Sequence, residues 1–205
     1  MSKIKICGLK RQEDITYVNE AGADYAGFII NVPKSHRNVT AKEAKVLRQG
    51  LSEEITAVGV FVNQDPLEIA EIANAGIIDM IQLHGTEPEN YIKTLRELTE
   101  TPVIKAFVIR SVQDVKLAEQ SSADYVLLDS GSGSGELFDW TLLAGIKRPY
   151  FLAGGLTPEN ITEAINICHP FALDISSGVE IEKRKNKKKI RDAVRAAHKE
   201  EIEHE

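Results

Sequence analysis

A thiol at Cys7, a carboxyl at Asp129 and two glycine- and serine-rich turns are the chemically suggestive features of this 205-residue chain. Thiol and carboxyl groups can move protons to or from a substrate. In the turns, Gly154-Gly155 and Ser176-Ser177-Gly178, glycine lets backbone N–H groups approach a phosphate and serine adds hydroxyl donors. Arg37, in Ser35-His36-Arg37, carries a planar fork that suits a carboxylate. Gln82 and His84 sit in Gln82-Leu83-His84-Gly85, and Asp174 opens the run that ends at Gly178. Each residue also has a plain use. Cys7 fits as a small buried hydrophobe, Asp129 as the end of an apolar run, Arg37 as a loop arginine, and His84 as a lining residue with a satisfied hydrogen bond.

The elements around these residues give them a common position. Short apolar or β-branched runs begin near Ile4, Tyr25, Ala57, Met80, Val103, Tyr125, Tyr150 and Ala172, and most are followed by a helix start signal. Thr40, Asp65 and Thr86 each stand three residues before a glutamate, Thr157 precedes a proline, and Ser111 and Asp139 can cap the helices that follow the fifth and sixth strands. The joints Ala23-Asp24-Tyr25, Ala123-Asp124-Tyr125 and Ile78-Asp79-Met80 echo one another. Near-continuous apolar strands suit a parallel sheet covered on both faces. Eight such units predict a single-domain (β/α)₈ barrel over residues 1–205, with a charged tail from about 199; an open doubly wound sheet is the structural alternative. In a barrel the active site forms at the C-terminal strand ends, where all these polar residues fall, and phosphate commonly binds after strands seven and eight.

Composition narrows the function further. A net charge of −6 favours neither nucleic acid nor an anionic membrane surface as a partner. No apolar run approaches membrane-span length, so the expected setting is cytoplasmic, for a monomer or a homodimer. Five scattered histidines and two cysteines, Cys7 and Cys168, give no metal spacing and no disulfide framework. Cys168, late in a helix, reads as core filling. The Lys183 to Lys189 run reads as a solvated loop leading into the last helix. Gly131-Ser132-Gly133-Ser134-Gly135-Glu136 lacks dinucleotide-loop spacing.

With those residues in view, the chain resembles the phosphoribosylanthranilate isomerase family along nearly its whole length. The resemblance rests on Lys5-Ile6-Cys7-Gly8, Gly22-Ala23-Asp24 leading to Gly27-Phe28, Ser35-x-Arg37, Gln82-Leu83-His84-Gly85, Leu128-Asp129, Phe138-Asp139-Trp140, Ala153-Gly154-Gly155-Leu156 and Asp174 to Glu180, in that order. It implies an Amadori rearrangement of N-(5-phosphoribosyl)anthranilate in tryptophan biosynthesis. Cys7 would be the general base and Asp129 the general acid, the latter kept protonated by burial. The thiolate of Cys7 would be favoured by nearby donors or helix N-termini. Arg37 would hold the anthranilate carboxylate, with Gln82, His84 and Asp174 also binding substrate. Gly154, Gly155, Ser176, Ser177 and Gly178 would hold the phosphate. No metal, nucleotide or prosthetic group is implied. Two departures stand out: Ser132 replaces a glycine, and after Glu180 the expected glycine and Lys-Asp become Lys183, Lys185 and Asn186. A related sugar-phosphate barrel, such as an epimerase or an indole-glycerol-phosphate synthase relative, is the enzyme alternative. The synthase would need a lysine with glutamates at strand ends, and Lys105 shows no obvious partner. A non-catalytic phosphate-binding barrel would be expected to lose the acid, the base or a phosphate loop.

Overall fold

The computed structural model describes residues 2–131 and 139–199. Its strands are Lys3–Cys7 (β1), Tyr25–Ile30 (β2), Thr56–Phe61 (β3), Met80–Leu83 (β4), Val103–Val108 (β5), Tyr125–Asp129 (β6), Tyr150–Leu152 (β7) and Ala172–Ile175 (β8). Each pairs in parallel with the next. The last returns to β1, with Lys3 opposite Ala172 and Ile6 opposite Ile175, so the sheet closes into a barrel and the open-sheet alternative falls away. Every expected strand start is met within one residue. A two-residue strand, Asn38–Val39, pairs in parallel beside the end of β2.

Among the described residues seven helices cover the sheet: Gln12–Ala21 (α1), Ala41–Gln49 (α2), Pro66–Asn74 (α3), Glu89–Leu98 (α4), Val112–Glu119 (α5), Ile161–Cys168 (α6) and Lys187–His198 (α7). Between β6 and β7 a 3₁₀ helix, Trp140–Gly145, stands in for one, with the Asp139 carboxylate accepting from Thr141 N at 3.0 Å. Thr40 and Ser111 form reciprocal capping boxes, and Asp65 caps α3 ahead of Pro66. Two expected caps are displaced. Thr86 donates instead to Asn63 Oδ1, while Glu89 accepts from Ser121 and Ser122, so α4 begins only at Glu89. Thr157 O accepts from Asn160 N and Ile161 N, a turn that delays α6 to Ile161. At Thr86 tertiary bonds outcompete the local signal, whereas at Thr157 a local backbone turn does so.

The repeated joint aspartates have a common task. Asp24 Oδ2 accepts from Ile4 N, Asp79 Oδ2 from Ala57 N and Asp124 Oδ2 from Val103 N, all at 2.7–2.8 Å. Each carboxylate satisfies a strand-start N–H of the preceding neighbour and helps fix strand register at the floor of the barrel.

Side chains of a strand alternate between its two faces, and this parity builds the site. The interior packs Tyr25, Val58, Met80, Ile104, Leu127 and Phe151 together, with Tyr25 and Phe151 edge to face at 5.4 Å. Two or more residues further along the same faces come Cys7, Gln82, Asp129 and Asp174. The larger apolar cluster lies between sheet and helices and includes Ile4, Ile6, Phe28, Phe61, Ile190 and Val194. The tail beyond 199 and the departure at Ser132 lie outside the described residues.

Candidate active site

At the C-terminal end of the barrel a cavity of about 280 Å³ opens among Cys7, Arg37, Gln82, His84, Asp129 and Asp174, with Gly154, Gly155, Ser176 and Ser177 on its rim. Ten of the eleven expected site residues therefore share one space. Gly178 does not line it. Its φ is not positive; instead its Cα abuts the carbonyl of Leu156, where any Cβ would collide with backbone. The positive φ belongs to Gly154, at 90°, and Gly155, at 65°.

Cys7 is buried beside a second inward-facing residue of β1, Lys5. Both lie over Gly27, where an added Cβ would stand 2.8 Å from Cys7 Sγ and 3.1 Å from Lys5 Cε. The missing side chain on β2 thus makes room for the thiol and the ammonium together. Lys5 is fully buried, and its Nζ donates to Gln82 Oε1 at 2.6 Å and Asp174 Oδ2 at 2.7 Å. Burial pushes the Cys7 thiol up, opposed by the positive charges of Lys5 and Lys185. The cations near the thiol are therefore two buried lysines, and burial outweighs them. Burial alone would lower the Lys5 pKa, but Asp174 and then Cys7 reverse that and raise it.

Asp174 is 8% exposed, and its Oδ1 is buried with no hydrogen-bond partner among the described residues. An orphaned carboxylate oxygen at a cavity wall is costly unless a ligand supplies a donor. Asp129 is more open than expected, with 22% of its side chain exposed. Its Oδ1 accepts from Gly131 N at 2.9 Å, and its Oδ2 faces His84 Nε2 at 3.6 Å. His84 Nδ1 meets Gln82 Nε2 at 3.0 Å. Desolvation lowers the His84 pKa, against the pull of Asp129, and so favours the neutral ring.

Arg37 is held by a carboxylate of the protein itself. Its Nε and Nη2 donate to Glu180 Oε1 and Oε2 at 2.7 and 2.8 Å. Lys185 Nζ donates to the same Oε1 at 2.8 Å and to Ser176 O at 2.8 Å. Burial would raise the Glu180 carboxyl, but the Arg37 fork and Lys185 ammonium bring it down to about 2. Ser176 Oγ donates to Cys7 O at 3.0 Å, so that hydroxyl ties β8 to β1.

The expected solvated loop needs correcting at Lys185, which is buried, and at Lys187 to Lys189, which already belong to α7. Lys183, Arg184, Lys187 and Lys188 are exposed, whereas Lys185 is buried beneath the rim. It lies in a hairpin of Glu180–Ile181 with Arg184–Lys185, whose turn residues Glu182 and Lys183 both have positive φ. Asn186 then caps α7 through Lys189 N at 3.0 Å. Lys105 also proves to have a glutamate partner, Glu87, at 2.6 Å. That buried pair, with a second bond to Gly85 O at 2.9 Å, fastens the loop after His84. Lys5, Lys185 and Glu180 went unassigned in the sequence, although Lys5 stands two residues from Cys7 on the same strand face. Cys168 packs partly buried against the core, its thiol pushed up to about 11 by burial.

Comparison with known proteins agrees with this architecture. Residues 4–196 match the family model described as N-(5′-phosphoribosyl)anthranilate (PRA) isomerase. An N-(5′-phosphoribosyl)anthranilate isomerase of Endomicrobium trichonymphae is 43% identical over 200 residues, covering 95% of this chain and 98% of that protein. The crystal structure of phosphoribosyl anthranilate isomerase from Thermotoga maritima superposes with a TM-score of 0.88 at 36% identity, covering 96% of this chain and 98% of that one. A crystal structure of a phosphoribosyl anthranilate isomerase in complex with reduced 1-(o-carboxyphenylamino)-1-deoxyribulose 5-phosphate gives a TM-score of 0.86 at 35% identity, with 96% and 98% coverage. The chain belongs to the N-(5′-phosphoribosyl)anthranilate isomerase family.

Proposed function

We propose that this chain performs the isomerase step of tryptophan biosynthesis with Cys7 as general base and Asp129 as general acid. The substrate is N-(5-phosphoribosyl)anthranilate and the product is 1-(2-carboxyphenylamino)-1-deoxyribulose 5-phosphate. The observation that carries the assignment is the shared cavity, in which β1 supplies the thiol and β6 the carboxyl. Asp129 gives its proton to the furanose oxygen; the C1–O bond breaks and the anilino nitrogen forms an iminium. Cys7, as thiolate beside Lys5, then takes the proton from C2, and the electron pair left behind neutralises the iminium as an enolamine. Tautomerisation of that enolamine gives the ketose.

Arg37 binds the anthranilate carboxylate with Nη1, the guanidinium nitrogen outside its two bonds to Glu180. Asp174 Oδ1 accepts from a sugar hydroxyl, which supplies its missing donor. Gln82 and His84 line the opposite wall. Backbone N–H groups of Gly154, Gly155, Ser176 and Ser177 hold the phosphate, and Gly178 lets their two loops approach. The chain does this as one cytoplasmic barrel domain, alone or as a homodimer, without a cofactor. No helix among the described residues is long and apolar enough to cross a membrane. Purified protein should consume phosphoribosylanthranilate, followed as loss of its fluorescence. A folded protein with no turnover would overturn the assignment.

A further inference from the structure

We propose that Gln82, itself held by Lys5, is a positioning residue that locks His84 as the neutral Nε2–H tautomer facing Asp129. An ammonium only donates. Lys5 Nζ lies 2.6 Å from one end of the Gln82 amide, so that end must be the oxygen. The amide nitrogen then faces His84 Nδ1 at 3.0 Å and donates to it. A nitrogen that accepts carries no proton, so the proton of neutral His84 sits on Nε2. Nε2 stands 3.6 Å from Asp129 Oδ2, beyond hydrogen-bond length but within reach of a small closure. Lys5 is fully buried and Gln82 is 1% exposed, so water cannot substitute for either partner.

The lock has a chemical consequence, which rests on the acid role proposed for Asp129; the tautomer itself does not. With Nε2 protonated, His84 cannot take the proton that Asp129 must deliver, and it donates to the carboxylate that remains. The opposite tautomer would place a basic lone pair beside the acid and compete with the substrate for that proton.

The test is ¹⁵N–¹H multiple-bond NMR of histidine-labelled full-length protein, with His84 assigned among the five histidines by its loss in His84→Asn. The wild type should show a bare Nδ1 and a protonated Nε2. In Gln82→Glu the side chain only accepts, so Nδ1 should gain a proton, and kcat should fall by at least about tenfold while KM stays within about threefold. Gln82→Met, similar in volume, serves if the glutamate variant fails to fold; it removes the donor, and His84 should become a tautomer mixture. A protonated Nδ1 in neutral wild-type His84, or an Nδ1 that stays wholly bare in the folded variants, overturns the lock. Asp129→Asn with normal turnover would overturn the acid role and leave the tautomer result standing.

Discussion

Replacing Glu180 by glutamine should destabilise the protein by about 3 kcal/mol at pH 7, and most of that loss should vanish in acid. The Glu180 side chain is 7% exposed and receives two bonds from Arg37 and one from Lys185. These hold its carboxyl at about 2, against an ordinary 4.5. At roughly 1.4 kcal/mol per pH unit of displacement, the difference makes about 3 kcal/mol. A carboxyl depressed in the folded state contributes fully above its unfolded value and loses that contribution as pH falls through its folded value. The window is therefore about 4.5 down to about 2. The glutamine amide also turns a donor toward Arg37 and leaves Lys185 buried without its counter-charge, which acts in the same direction. Urea unfolding of wild type and Glu180→Gln, measured from pH 7 to pH 3, checks this. The stability gap should narrow by about 2 kcal/mol over that range. A gap independent of pH, or none at pH 7, would refute the assignment of Glu180 as the anchor of Arg37 and Lys185.

Other perturbations probe the cavity wall by wall. Arg37→Ala should weaken a carboxylated product analogue by about 1.5–3 kcal/mol in calorimetry, and unchanged binding would place the guanidinium outside the substrate's reach. Gly154→Ala should weaken competition by inorganic phosphate roughly tenfold, because φ is 90° and a Cβ would stand 2.7 Å from Ser130 N; wild-type inhibition constants would remove Gly154 from the phosphate site. Alkylation of Cys7 in the empty protein should accelerate with a midpoint above 9.0, the ordinary thiol value, since burial raises it. Lys5→Met should move that midpoint higher still, and a lower midpoint would contradict the ammonium's role.

Much of the barrel is legible in the chain because its signals are short-range and repeated. The eight apolar runs, the caps at Thr40, Asp65 and Ser111, and the echo of Asp24, Asp79 and Asp124 all depend on neighbours within a few residues or one unit. Position at a strand end was enough to gather ten site residues. What stays hidden depends on partners far away in sequence. Lys185 lies in a run of cations that looks solvated, and its burial follows only from Glu180 and Ser176 folding over it. The partner of Lys105 is 18 residues back in a loop. Thr86 has the local mark of a cap, yet Asn63, on a different unit, captures it. Gly178 was expected to bring its backbone N–H to the phosphate; its need for no side chain instead comes from Leu156 across the rim. Lys5 is the case where parity already pointed inward beside Cys7, although a lysine in a barrel interior is rare enough to hide its meaning.

The acid–base pair is the centre of the account, and steady-state turnover of phosphoribosylanthranilate by wild type, Cys7→Ala and Asp129→Asn tests it directly. Both variants should remain folded, with KM little changed and kcat lowered by at least about 10²-fold. Near-wild-type kcat in either folded variant would show that the proton moves through another group.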